Sequence, residues 1–243
     1  MTTPANKLPP TYPALSTTAP YPWPFAGGFN NGDTAVLIID MQYDFLSEQG
    51  YFASLGEDVS HLQRAVEPNK VLLQAARQLG FMCLFTRESH RPQLVDVSGN
   101  KYARAHRNGA PIGSMGPLGR LLVRGERGCD IIDELKPGPN ECVIDKPGNG
   151  AFYATDLEHI LRTNGIRNLV ITGITTDVCV SSTLREANDR GFDCLVLEDA
   201  CGAANAEVHD GVFKSMLNEG GIFGAFAQSG DLIAHINAAQ SGR

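Results

Sequence analysis

No stretch of this 243-residue chain approaches the roughly 18–20 consecutive apolar residues that cross a bilayer. Its start lacks the basic patch and apolar run of a secretory leader, so a soluble, cytoplasmic protein is expected. Positive charge is scarce. Against 27 Asp and Glu stand 20 Lys and Arg, a net charge of −7. That balance argues against nucleic acid as the main partner and against a polybasic membrane patch. Six cysteines are present, but none forms a Cys-x-x-Cys pair or the Cys/His spacing of a zinc site. Cys83, Cys142, Cys179 and Cys194 lie in or beside apolar strand-like runs, which suggests reduced thiols rather than a disulfide framework. No Gly-x-Gly-x-x-Gly follows a strand and no Walker-type Gly-Lys-Ser/Thr occurs, so no cofactor is expected. A small substrate or another protein remains open as partner.

What the chain does have is enough length to bury one substantial core. Half of its fourteen prolines fall within the first 24 residues. Residues 1–32 therefore read as an N-terminal Pro-rich arm and 33–243 as a single domain. Residues 1–18 are expected to be disordered or loosely attached. Pro20-Tyr-Pro-Trp-Pro24 carries the only tryptophan, and a stiff polyproline-type segment with two aromatics is expected to dock on its own chain or a neighbour. A mere linker is the alternative.

From residue 33 strands and helices alternate. Ala35–Ile39, Phe81–Phe85, Cys142–Ile144, Leu169–Thr172 and Cys194–Leu197 are short apolar runs, with Gly221–Phe226 as a candidate last strand. A helix is predicted over about 62–79, and Thr155-Asp-Leu-Glu158 has the capping-box pattern of another. The segment from about 87 to 140 shows little periodicity. This alternation implies an α/β fold with a parallel sheet covered on both faces. Sites in such sheets form beyond the carboxyl ends of the strands. Three strand ends carry reactive side chains: Asp40, Lys146 and Cys179.

With Asp177 as N-cap, Cys179 falls in the first turn of a helix, where backbone N–H groups and the dipole lower a thiol pKa. The same groups can hold a developing oxyanion. Lys146 would stabilise a Cys179 thiolate, and Asp40 would take the thiol proton and return it to a leaving amine. The plainer alternatives are a buried structural cysteine, a turn-capping Asp40 and a solvated Lys146 ion pair. Glu88-Ser-His90 with His106 downstream is a poor metal signal, and no metal is expected. A non-catalytic thiol sensor or binding module is a rival, with Cys194 and Cys201 as candidate resolving partners.

Asp40-Met-Gln-Tyr-Asp-Phe45, Asp145-Lys146-Pro147 and Thr172-Gly-Ile-Thr-Thr-Asp-Val-Cys179 resemble the three motifs of the isochorismatase-like cysteine hydrolases. Pro20–Pro24, Thr86-Arg-Glu-Ser-His-Arg-Pro92, Arg124-Gly-Glu-Arg-Gly128, Asp145-Lys-Pro-Gly148 and Arg185-Glu-Ala-Asn-Asp-Arg190 are similar to bacterial biuret hydrolases, with triuret hydrolases as near relatives. The resemblance implies a three-layer α/β/α fold with a six-stranded parallel sheet. It implies Cys179 as nucleophile, Asp40 as general base and acid, and Lys146 as third member of a triad. A cis peptide would join Ile174 to Thr175, with the N–H groups of Thr175 and Cys179 as oxyanion hole. The implied reaction is amide hydrolysis of a small ureide, biuret first, then triuret, then ureidoacrylate or another carboxamide. Phe45, Arg87, Glu88 and Glu219 are the implied substrate contacts, and Tyr43 and Glu219 the points where substrate length would be set. A homo-oligomer, commonly a tetramer, is implied. The metal motif of nicotinamidases is not matched by Glu88, and the presence of Cys179 argues against isochorismatase chemistry.

Overall fold

The apolar runs become parallel strands in a computed structural model that describes residues 11–241. In chain order the strands are β1 (Tyr12–Leu15), β2 (Trp23–Phe29), β3 (Thr34–Ile39), β4 (Met82–Glu88), β5 (Met115–Gly116), β6 (Gly119–Arg120), β7 (Cys142–Lys146), β8 (Asn168–Ile174), β9 (Asp193–Gly202) and β10 (Ala225–Ala227). The helices are α1 (Tyr43–Leu46), α2 (Tyr51–Ser54), α3 (Ser60–Gln63), α4 (Val66–Leu79), α5 (Gly99–Arg107), α6 (Leu157–Thr163), α7 (Ser181–Asp189), α8 (Ala206–Met216) and α9 (Ser229–Ser241). Six strands form one sheet in the order β10-β9-β8-β3-β4-β7, all parallel.

Successive side chains of a strand point to opposite faces, and here both faces are buried. Val36 and Ile38 of β3 join Cys83 and Phe85 of β4, Val170 of β8 and the apolar stripes of α4 and α9. The alternate residues Ala35, Leu37 and Ile39 join Leu84, Leu169, Ile171 and Val196, beneath α6, α7 and α8. The sheet therefore lies between two helical layers. β3 sits centrally with β8 and β4 as its neighbours, so the ends of these strands share one edge of the sheet. Gly80, at φ 72°, ends α4 in the left-handed conformation that glycine adopts without steric penalty.

Four expectations change. Residues 11–18 are not loose: β1 and β2 form an antiparallel pair, and Tyr12, Leu15, Trp23 and Phe29 are fully buried in the core. Trp23 and Pro24 begin a strand rather than a polyproline-type rod, and Trp23 packs against its own chain, 5.1 Å from Phe29. Ala19 exchanges backbone hydrogen bonds with Phe226, so the arm covers the exposed edge at β10. Residues 1–10 of the arm lie outside the described residues. Second, the helix expected from 62 is two pieces, α3 and α4. Third, the capping box does not form. Asp156 occupies the N-cap of α6 without a side-chain bond, and Thr155 Oγ1 instead accepts from Leu157 N–H. Last, the segment around 87–140 holds α5, the β5–β6 hairpin and two 3₁₀ turns. Contacts distant in sequence order it: His90 N–H donates to Leu122 O, and Leu122 N–H donates to the buried Asp44 carboxylate at 2.8 Å.

Candidate active site

Asp40 follows the last residue of β3, at φ 50°, and its side chain is completely buried. That turn is fixed by β4. Asp40 N–H donates to the Thr86 carbonyl, and Thr86 Oγ1 donates to Asp40 Oδ1 at 2.5 Å. Asp40 Oδ2 faces the Lys146 ammonium at 2.7 Å. Lys146 ends β7, also fully buried, and spends its other two protons on Gly148 O at 3.1 Å and Cys179 Sγ at 3.3 Å. An ammonium with three donors and three acceptors is held in one orientation.

Cys179 is brought to this pair by the turn after β8. Gly173, at φ 111°, lies so close to β3 that a Cβ there would collide with the Ile39 carbonyl oxygen, so only glycine fits. The Ile174–Thr175 peptide is cis, as the resemblance implies. Residues 176–180 then form one wide π-type turn before α7. This corrects the cap assignment. Thr175, not Asp177, is the N-cap, and Asp177 is exposed within the turn and makes no capping bond. The hydroxyl of the neighbouring Thr176 is bonded to His209 Nδ1 at 2.8 Å, which ties the turn to α8.

The electrostatics also differ from expectation. Burial pushes the Cys179 thiol well above its usual value; Lys146 pulls it down, but the Asp40 and Glu88 carboxylates push it up again. The push is towards the protonated thiol, because the sulfur lies among two carboxylates as well as one ammonium. For Lys146, burial alone would lower the pKa; the charges of Asp40, Cys179 and Glu88 outweigh it and hold the ammonium above the ordinary lysine value.

Glu88 is the substrate-contact candidate that the structure places in this cluster. Its Oε2 lies 3.7 Å from Cys179 Sγ and 3.9 Å from Lys146 Nζ. Burial works against its charge, but Lys146 and Lys101 more than offset that and keep its pKa below normal. Two partners escaped the sequence reading. Lys101, on α5, pairs with Glu88 Oε1 at 2.7 Å. Gln42 is fully buried and clamps the Glu88 backbone, accepting its N–H at 2.8 Å and donating to its carbonyl at 3.0 Å. Gln42 lies inside the Asp40 motif, so an amide two residues after Asp40 was the available signal. Lys101 had none.

Arg87 and Glu219 lie elsewhere. Arg87 points to the opposite face of β4 from Thr86 and Glu88, as pleating requires, and is bound by Asp145 at 2.9 Å and Asp130 at 3.2 Å. Glu219 follows α8, which returns the chain to the amino ends of the strands. It lines a groove with Tyr21, Phe25 and Asp193, at the opposite end of the sheet from Cys179. Phe45, on α1, is buried with its ring edge-on to Tyr51 and Phe52. The Tyr43 hydroxyl accepts from Arg127 and from Asp133 N–H. His106 is exposed on α5 and does not join Glu88 and His90. Among the described residues, the group of three metal-capable side chains is Asp40, Glu88 and Cys179, and the Lys146 ammonium already lies in contact range of each. Cys194 and Cys201 are buried in β9 and free.

Comparison with known proteins places the family and the fold. The isochorismatase domain model matches residues 34–228. A ureidoacrylate amidohydrolase RutB of Pantoea ananatis is 36% identical over 188 residues, 76% of this chain and 75% of that one. The protein of the same name from Yersinia enterocolitica is 35% identical over 183 residues, 74% and 79% of the two chains. These relatives are named for ureidoacrylate, where the finer motifs predict biuret. An isochorismatase family protein of Desulfovibrio vulgaris superposes with a TM-score of 0.69 at 26% identity, covering 84% of this chain and 98% of that one. A cysteine hydrolase of Pseudomonas syringae shares the fold, with a TM-score of 0.74 at 24% identity over 87% of this chain and 95% of that one. With its six-stranded parallel sheet and a matched domain spanning residues 34–228, the chain belongs to the isochorismatase domain family.

Proposed function

We propose that the protein is a cysteine-dependent amidohydrolase that cleaves a C–N bond of a small N-carbamoyl compound, with biuret, giving allophanate and ammonia, as first choice. The observation that carries this reading is the buried cluster in which Lys146 Nζ touches both Asp40 Oδ2, at 2.7 Å, and Cys179 Sγ, at 3.3 Å. As the sulfur attacks the carbonyl carbon, its proton passes to the Asp40 carboxylate, and the new S–C bond leaves an oxyanion. The N–H groups of Thr175 and Cys179 receive that oxygen. Collapse breaks the C–N bond, and the proton held on Asp40 leaves with the amine as ammonia. Asp40 then takes a proton from water, whose hydroxyl attacks the thioester; the S–C bond breaks, the sulfur regains that proton from Asp40, and the carboxylic acid product leaves. The raised thiol pKa suits this order, in which proton removal accompanies attack rather than preceding it.

Substrate charge favours biuret. Asp40 and Glu88 pair with Lys146 and Lys101, so two negative and two positive side chains balance within the cluster. No surplus cation among these four awaits a substrate carboxylate, and Glu88 Oε2, 3.7 Å from Cys179 Sγ, is the proposed acceptor for a carbamoyl N–H. Phe45 is the proposed aromatic wall. Triuret is the next choice on the same grounds. Ureidoacrylate is a second reading, favoured by the names of the relatives from Pantoea ananatis and Yersinia enterocolitica. The proposal includes a homo-oligomer, a tetramer by resemblance.

Ammonia release from biuret, triuret, ureidoacrylate and nicotinamide, measured with purified enzyme and its Cys179→Ser variant, tests the reading. Preference for one ureide, lost in the variant, is the expected result. Equal, weak release from all four, or retained activity in Cys179→Ser, contradicts it.

A further inference from the structure

Lys101 comes from α5, within the segment that connects β4 to β7 and has no sequence periodicity of its own. Its Nζ lies 2.7 Å from Glu88 Oε1 and donates to the Pro147 carbonyl at 2.7 Å. One ammonium thus joins α5 to the ends of two strands, at Glu88 of β4 and at the residue after Lys146 of β7. The other Glu88 oxygen lies 3.7 Å from the nucleophile. Only 15% of the Lys101 side chain and 10% of the Glu88 side chain is exposed, so solvent screens this pair weakly.

We infer that Lys101 is a positioning residue that neutralises Glu88 and holds its carboxylate beside Cys179, so that seating of α5 sets the strength of the nucleophile. The inference rests on Cys179 being the nucleophile, but not on which substrate it attacks. The charges around Glu88 explain the dependence. Lys146 from β7 and Lys101 from α5 are the cations; Asp40 from β3 is the second anion. The Tyr51 hydroxyl of α2 and the His90 imidazole, itself near Asp96 and Arg124, also feel the Glu88 charge. With Lys101 in place the cluster is neutral before Cys179 ionises. Without it, two carboxylates face one ammonium, and a thiolate would be a third negative charge in the same buried space. Like charges close together disfavour ionisation. Seen this way, α5 completes the charge balance of a site whose other members are all held by strand ends or the turn after β8.

Alkylation of Cys179 by iodoacetamide, followed by mass spectrometry of the Cys179 peptide across pH, reads thiolate formation without any substrate. Lys101→Met is expected to raise the midpoint by about one pH unit, which is about tenfold slower alkylation on the acid side. Lys101→Arg keeps the charge and is expected to stay within about twofold of the parent. Glu88→Gln is expected to lower the midpoint, and Lys101→Met added to it should produce no further shift. An unchanged midpoint in Lys101→Met, or the same shift with and without Glu88, overturns the inference. Lost turnover with an unchanged alkylation profile also overturns it, because it assigns Lys101 to simple support. If Lys101→Met does not fold, an unchanged midpoint in Glu88→Gln overturns it. Failure of the parent enzyme to release ammonia from any ureide would instead count against the proposed function, with the alkylation result unaffected.

Discussion

Asp40 and Lys146 form a salt bridge in which both side chains are fully buried and the charged atoms lie 2.7 Å apart. Desolvation makes such a pair a weak source of net stability, but removing one partner leaves a buried charge without its counter-ion and costs about 3–5 kcal/mol. Lys146→Met is therefore expected to destabilise the fold by that amount. For a chain of this length it corresponds to a fall in Tm of about 6–20 °C. Asp40→Asn should cost a comparable amount, since it leaves the ammonium with Cys179, Glu88 and the Gly148 carbonyl as its partners. The double variant removes both charges at once. It should be more stable than the sum of the single losses by about 2 kcal/mol or more. Urea unfolding at neutral pH, followed by circular dichroism, measures all four corners of the cycle. Single losses below about 1 kcal/mol, or strict additivity, would refute the electrostatic reasoning.

Burial raises Asp44 from 3.8 to about 6, so the folded chain binds its proton more tightly than the unfolded chain. That contribution, on the order of 3 kcal/mol, is complete below about pH 4 and is lost as pH rises through about 6. Asp44→Asn should remove this component from the pH dependence of urea unfolding; a difference between parent and variant that does not change from pH 4 to 7 contradicts it. Arg87→Ala should leave the KM for the preferred substrate within about twofold of the parent, since Arg87 is held by Asp145 and Asp130 on the far face of β4. A tenfold rise in KM would return it to the substrate site. Thr86→Val, which removes the 2.5 Å hydrogen bond to Asp40, should lower kcat about tenfold by losing a charge-assisted bond. An unchanged kcat shows that the bond does not orient the base. Gly173→Ala should yield no soluble enzyme, because a Cβ there meets the β3 backbone; a normally folded variant removes the steric argument.

That Asp40, Lys146 and Cys179 meet was legible because each ends or follows an apolar run, and parallel strands bring their carboxyl ends to one edge of the sheet. The same reasoning, taken one step further, separates Glu88 from Arg87. With Thr86 already facing Asp40, strict alternation sends Glu88 to the site and Arg87 away from it. Lys101 was not legible, because its partners lie at the ends of strands, as with the Pro147 carbonyl, 46 residues further along the chain. The Pro-rich start misled for another reason. Its prolines signal disorder over residues 1–18, whereas Tyr12 and Leu15 bury residues 11–18 against Trp23 and Phe29. The upward push on the Cys179 thiol could not be read either. A nearby lysine predicts a thiolate, and the opposing effect of Asp40 and Glu88 depends on distances that only the folded chain supplies.

A covalent intermediate on Cys179 is the central claim, and rapid-quench mass spectrometry on enzyme mixed with excess biuret or ureidoacrylate tests it directly. An acyl adduct confined to the Cys179 peptide, rising within the first turnover and absent from Cys179→Ser, is the predicted result. Sustained ammonia release with no adduct at Cys179, or with turnover retained in Cys179→Ser, would contradict the account.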